Sequence, residues 1–215
     1  MFKMIFSFLK KMDTNTIIPS PLIQQFEIQA PRGKAIDIGA GKGDNALFLA
    51  KHGFFVTAVE IRKELADTIK KRAEENQIGL EIINRDIKDF IVEENQYSFI
   101  SAINSLNFFS KQEFLNIIEK IKNGLRKSGI CVISLFTADD SLFEKIKSET
   151  ASEDDGSFRN KAGKKWYFPK SNELRKFFEK DFEILFYKEA TIDDKGHKGN
   201  MDPHQHAIAR IVVKK

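Results

Sequence analysis

Cysteine is almost absent from this chain. The single Cys131 among 215 residues excludes an intrachain disulfide framework and any zinc site built from several cysteines. Such usage suits a reducing compartment, and the cytoplasm is the expected location. No apolar run approaches the ~20 residues that cross a bilayer, so no stable membrane insertion is expected. An excess of one charge is also missing. Lys and Arg number 35 against 31 Asp and Glu, and five of the lysines (Lys3, Lys10, Lys11, Lys214, Lys215) are terminal. Taking those five from the net +4 leaves −1 over residues 13–213, which argues against a broad basic face for nucleic acid. There is no internal repeat and no low-complexity tract.

The remaining composition, 41% hydrophobic and 31% charged, is that of a globular protein. The length allows one domain with a modest appendage. The appendage is the stretch 1–30. In MFKMIFSFLKKM, Phe2, Ile5, Phe6 and Leu9 share one helical face, and Lys3, Ser7, Lys10 and Lys11 the other. Its short apolar stretch and trailing lysines do not make a signal peptide. Three readings stay open: a helix packed on its own domain, a lid over a ligand site, or a surface that adsorbs to a membrane or partner. Ser20 is placed to cap a short helix carrying Leu22, Ile23 and Phe26.

From residue 31 onward, apolar strands alternate with amphipathic helices. Strands are expected at 34–38, 54–61, 80–84, 97–104 and 130–136, and helices at 44–52, 63–77 and 111–127. Phe114, Ile117, Ile118, Ile121 and Leu125 form the clearest stripe. This alternation predicts a Rossmann-like α/β fold, a mostly parallel sheet with helices on both faces. Residues 137–165 are a polar excursion, read as a loop with a short helix near 142–147. A helix capped by Ser171 follows over 171–180. Strands at 182–189 and 207–213 close the chain as an antiparallel hairpin, for seven strands in all.

The chemistry concentrates in AIDIGAGKGDNALFLAKHGFFVTAVEI, residues 35–61. A strand ends at Asp37, a loop of small residues follows, and a helix begins. Small residues allow a sharp turn and close approach of a ligand to the main chain. The next strand ends at Glu60, beyond which open α/β sheets bind their ligands. A dinucleotide loop would read Gly-x-Gly-x-x-Gly. Here Asp44 stands in the third place and Asp37 precedes the loop, two carboxylates of the wrong sign for a diphosphate. No Gly-Lys-Ser/Thr ending is present, so a P-loop is disfavoured. A cationic ligand tolerates the acidic pair.

Asp37-x-Gly39-x-Gly41-x-Gly43 with Glu60 resembles the cofactor site of class I S-adenosylmethionine-dependent methyltransferases. Asn84-Arg85-Asp86-Ile87 resembles that family's adenine-contacting segment, Asn104-Ser105-Leu106-Asn107 its fourth-strand end, and Arg126-Lys127-Ser128-Gly129 its turn before the fifth strand. Residues 39–60 and the ending DKGHKGNMDPHQHAIARIVVKK are similar to the tellurite-resistance and small-molecule branch. The resemblance implies the fold above and S-adenosylmethionine as cofactor. It implies that Asp37 and the backbone of Gly39, Ala40, Gly41 and Gly43 hold the methionyl end, with Asn45 assisting. Glu60 would bind the ribose hydroxyls and Ile61 the adenine face. Asp86, with Ile87 in the same segment, would meet the exocyclic amine, and Asn104 would lie near the sulfonium.

The expected reaction is methyl transfer to a small soluble acceptor. A tellurite- or selenite-type oxyanion or a thiol is suggested by the branch alone. His197, His204 and His206 are the candidate catalytic or acceptor-binding residues; on a strand His204 and His206 face the same way. Their spacing is no specific metal signature, and no metal is expected. Their plainest reading is as ordinary hairpin histidines. His52 and Cys131 read as structural, and Trp166-Tyr167-Phe168 as core more readily than as an acceptor wall. Lys42 and Asp44 read as solvent-facing. Nucleic-acid methylation is the nearest rival; the missing Asn/Asp-Pro-Pro-aromatic run after the fourth strand speaks against it. A cofactor-binding sensor that transfers nothing is the alternative from another class.

Overall fold

Short β-branched and aromatic runs, broken by glycine and asparagine turns, set the strands. The computed structural model describes residues 16–153, 156–195 and 203–215. Within them lie β1 (Lys34–Ile38), β2 (Phe55–Val59), β3 (Glu81–Ile83), β4 (Tyr97–Ile103) and β5 (Leu125–Phe136). Three two-residue strands follow: β6 (Ala151–Ser152), β7 (Phe158–Arg159) and β8 (Lys165–Trp166). The long strands β9 (Glu183–Asp194) and β10 (His204–Lys214) end the chain. Helices are α1 (Pro21–Phe26), α2 (Asp44–Lys51), α3 (Lys63–Asn76), α4 (Lys111–Gly124), α5 (Ser141–Glu149) and α6 (Glu173–Lys176). The amphipathic stretch 1–12, and with it half of the expected N-terminal segment 1–30, lies outside the described residues.

The main sheet runs β3-β2-β1-β4-β5-β10-β9. The first five strands pair in parallel. The last two are antiparallel to β5 and to each other, so the expected seven-stranded architecture is present. Alternate residues of each strand serve opposite layers. Ile36, Ile38, Ile100, Ala102, Ile133 and Leu135 pack with the α4 stripe and Leu174 of α6. Ala35, Val56, Ala58, Phe99 and Val132 pack with α1, α2 and Ile69 of α3. Among the described residues no helix is long and apolar enough to cross a membrane.

Four local expectations need correction. Helix α4 stops at Gly124, because Leu125 is buried as a strand residue paired with Tyr97. The Arg126–Gly129 stretch is then a bulge inside β5, with Ser128 at φ +63° and its amide bonded to Lys215 O. The helix expected at 171–180 shrinks to the four residues of α6, started by Asn172. Ser171 precedes the N-cap position; its Oγ donates to Glu189 on β9 at 2.6 Å and accepts from Asn172 Nδ2 at 3.3 Å. Ser20 sits at the α1 N-cap position without a side-chain bond; its amide donates to Asn45 Oδ1 at 2.9 Å. The excursion at 137–165 contains a longer α5 than expected and the antiparallel sheet β6-β7-β8. Ile146, Phe158, Trp166 and Phe168 give it a small core of its own.

Candidate active site

The chain leaves β1 through Gly39, whose φ of +68° is a backbone state that a side chain strains. A Cβ there would lie 2.4 Å from Ser105 Cβ, so glycine also permits the close approach of the segment after β4. The Gly39 and Ala40 amides donate to Val59 O at 2.9 and 3.1 Å. These bonds draw the loop over the end of β2. Gly43, at φ +86°, begins α2.

Beyond the C-terminal ends of β1, β2 and β4 opens a cavity of about 480 Å³. It brings together six of the residues singled out from sequence: Gly39, Glu60, Ile61, Asp86, Ile87 and Asn104. Glu60 is buried. Its Oε2 accepts from the Gly41 amide at 2.8 Å and its Oε1 from the Arg62 amide at 2.9 Å. A carboxylate has about four acceptor positions, so two remain for a ligand. Asn84 Nδ2 donates to Glu60 O and Ile61 O, both at 2.9 Å, and fixes this corner. Asp86 Oδ1 accepts from the Lys88 amide at 3.0 Å. Asn104 holds φ +51°, tied to β5 through Ser134 at 2.7 and 2.9 Å. Ile61 and Phe108, 61% and 45% exposed, offer apolar surface to whatever fills the cavity.

Five other candidates do not line it: Asp37, Ala40, Gly41, Gly43 and Asn45. Asp37 is buried beneath the loop. Ser101 Oγ donates to its Oδ1 at 2.6 Å, and Oδ2 has no partner. Burial raises its pKa to about 6, although Ser101 and the Ala46 amide pull it back partway. Asp44 keeps a third of its side chain exposed but is also tied down. It pairs with the buried Arg72 at 2.8 Å and accepts from the Ile18 amide at 3.1 Å, anchoring the segment before α1. Of the acidic residues singled out from sequence, Glu60 and Asp86 therefore line the cavity.

His197 lies outside the described residues. His204 and His206 sit at the start of β10, beyond β5 and outside the cavity lining. His52 bonds Glu27 at 2.8 Å. Cys131 is buried, and burial pushes its thiol far up. Trp166, Tyr167 and Phe168 are buried.

The sequence reading missed the far wall. Glu113 Oε1 accepts from Lys88 Nζ at 3.2 Å and Lys165 Nζ at 2.9 Å. Burial opposes its charge, but the Ser110 amide and the two lysines overcome that and lower its pKa to about 2. Lys164 Nζ stands 4.9 Å over the Phe108 ring. The Ser110-x-x-Glu113 spacing, a capping box in the structure, was the one signal that could have drawn attention to Glu113.

Residues 35–129 match the family model described as a methyltransferase domain. Residues 35–129 thus resemble a methyltransferase domain, and the chain shares its fold with solved methyltransferases. Among particular proteins, it is 25% identical to the probable S-adenosyl-L-methionine-dependent methyltransferase TehB of Haemophilus influenzae, over 85% of this chain and 56% of the relative. It spans a little over half the length of that relative. The TehB crystal structure superposes with a TM-score of 0.70 at 22% identity, covering 94% of this chain and 64% of that one. A methyltransferase structure from Methanosarcina mazei gives 0.71 at 17% identity over 91% and 97%. The Burkholderia thailandensis 1,6-didemethyltoxoflavin-N1-methyltransferase, solved with S-adenosylhomocysteine, gives 0.64 at 15% over 90% and 75%.

Proposed function

We propose that this chain transfers a methyl group from S-adenosylmethionine to a small soluble acceptor. The observation that carries the reading is the pair of carboxylates, Glu60 and Asp86, facing one cavity beside a glycine turn at the sheet's C-terminal edge. That donor set fits the hydroxyls and amine of a nucleoside that also carries a positive charge. When bound, the cofactor supplies an activated methyl on a sulfonium, so no protein nucleophile is needed.

The chain's own part is positioning. Glu60 would accept from the ribose hydroxyls with the acceptor capacity that its two backbone partners leave. Asp86 would accept from the adenine amine, and Ile61 and Ile87, which line the same cavity, would offer apolar contact to the ring. By the family resemblance the backbone of Gly39 to Gly43 and Asn45 would hold the methionyl end, with Gly39 the one member of that set lining the cavity, and Asn104 would lie near the sulfonium. Asp37 acts from beneath as a positioning residue, through Ser101 and the loop. Fixing two reactants at near-attack distance is worth up to ~7–11 kcal/mol in favourable cases. A general base is needed only for an acceptor that carries a proton at working pH.

Arg85, Lys88, Lys164 and Lys165 around the same cavity favour an anionic acceptor. A tellurite- or selenite-type oxyanion or a thiolate meets that description; a nucleic acid does not suit the near-neutral body. The test is calorimetry with S-adenosylmethionine, S-adenosylhomocysteine and NADH, followed by a mass-detected screen of thiols, tellurite, selenite, small amines and tRNA. S-adenosylmethionine should bind and a small acceptor should gain a methyl. Tight NADH binding without the sulfonium would reject the reading. Sulfonium binding with no product from any acceptor would make the chain a sensor.

A further inference from the structure

Away from the cavity, three metal-ligating side chains meet at the open end of the β9–β10 hairpin. His204 pairs with Asp194 across the hairpin, and His206 follows two residues on, so all three share one sheet face. Their donor atoms lie within 4.8 Å of one another, the one such group among the described residues. His204 Nε2 is 3.0 Å from His206 Nε2, and His206 Nε2 is 3.9 Å from Asp194 Oδ2. A tetrahedral ion with ~2.05 Å bonds sets its ligand atoms ~3.3 Å apart, between those two spacings.

The rear of His206 is held as well. Its Nδ1 lies 3.0 Å from Asp140 Oδ2. Asp140 is fully buried; its Oδ2 also accepts from the Ala207 amide and its Oδ1 from the Leu142 amide, each at 2.8 Å. A carboxylate at Nδ1 keeps the imidazole proton there and turns the Nε2 lone pair toward His204 and Asp194. Outer carboxylates orient metal-binding histidines in this way. The Phe136 ring, 4.6 Å from that of His206, covers one side of the group.

We propose that Asp194, His204 and His206 bind one late first-row divalent cation, zinc being the natural probe, with Asp140 as the positioning residue. Two imidazoles and a carboxylate suit such an ion and leave a coordination position for water. The ion would join β9 to β10 and, through Asp140, to the start of α5, where the excursion at 137–165 leaves the sheet. The spacing of His204 and His206 alone did not indicate it, because the third ligand comes from the opposite strand.

The full chain, stripped with a chelator, is titrated with Zn²⁺ by calorimetry. One ion per chain at micromolar affinity or tighter is expected, with a zinc-dependent rise in Tm. His204→Gln and Asp194→Asn, each confirmed folded by circular dichroism, should bind at least tenfold more weakly. Asp140→Asn should lose roughly 10–100-fold. Glu60→Gln, altered in the cavity, should keep the parent's zinc affinity. Absence of saturable binding, or parental affinity in both His204→Gln and Asp194→Asn, would overturn the assignment.

Discussion

Asp37→Asn tests the electrostatics of the loop most directly. The carboxyl is buried, has one hydroxyl partner at 2.6 Å and one oxygen with none, and its pKa rises from 3.8 to about 6. Folding therefore favours the protonated form. Between those two values the folded chain binds more protons than the unfolded one, so stability falls as pH rises. The full loss is about 3 kcal/mol at 1.36 kcal/mol per pKa unit. About 2 kcal/mol of it falls between pH 4.5 and 7.5. Asparagine keeps the acceptor for Ser101 and cannot ionise. It also places an amide where Oδ2 has no partner, a constant offset of ~1–3 kcal/mol that cancels when two pH values are compared. Urea unfolding of both proteins at pH 4.5 and 7.5 should show the parent losing about 2 kcal/mol relative to the variant. For a chain of this size that is roughly 4–8 °C in Tm. Parallel pH profiles would refute the argument, as would a parent that gains relative stability toward pH 7.5.

Glu60→Gln should weaken S-adenosylhomocysteine binding at least tenfold by calorimetry, since hydrogen bonds to a charged group are worth ~1.5–3 kcal/mol; an unchanged constant would reject its ribose role. Gly39→Ala combines φ +68° with a 2.4 Å approach to Ser105 Cβ and should cost ~2–4 kcal/mol. A Tm within a degree of the parent would count against that packing. Glu113 contributes stability above the unfolded carboxylate range that is lost as pH falls through about 2. Glu113→Gln should thus lose ~1–2 kcal/mol at pH 7, after allowance for solvent screening of a partly exposed side chain, and little at pH 2. Equal losses at both pH values would assign the effect to packing alone.

Local pattern was enough for the architecture. Alternating apolar runs and a strong helical stripe specify strands and helices wherever burial and propensity agree, and the right-handed crossover rule narrows the topologies open to them. The glycine loop and Glu60 were legible because their chemistry is written in consecutive residues. Element ends were less so: whether Leu125 continues a helix or enters a strand depends on Tyr97, and Ser171 does not cap because the helix starts one residue further on, at Asn172. Charge placement lay further out of reach. Asp37 read as a group holding a ligand and Asp44 as solvent-facing, yet one is sealed under the loop and the other is turned to Arg72, 28 residues on. Glu113, Lys88 and Lys165 meet across 25 and 52 residues, and Asp140 reaches His206 across 66. Periodicity along a chain reports which face a residue takes. Which groups then share a cavity, and with what charge, is set by contacts between distant segments, and these exist only once the sheet has formed.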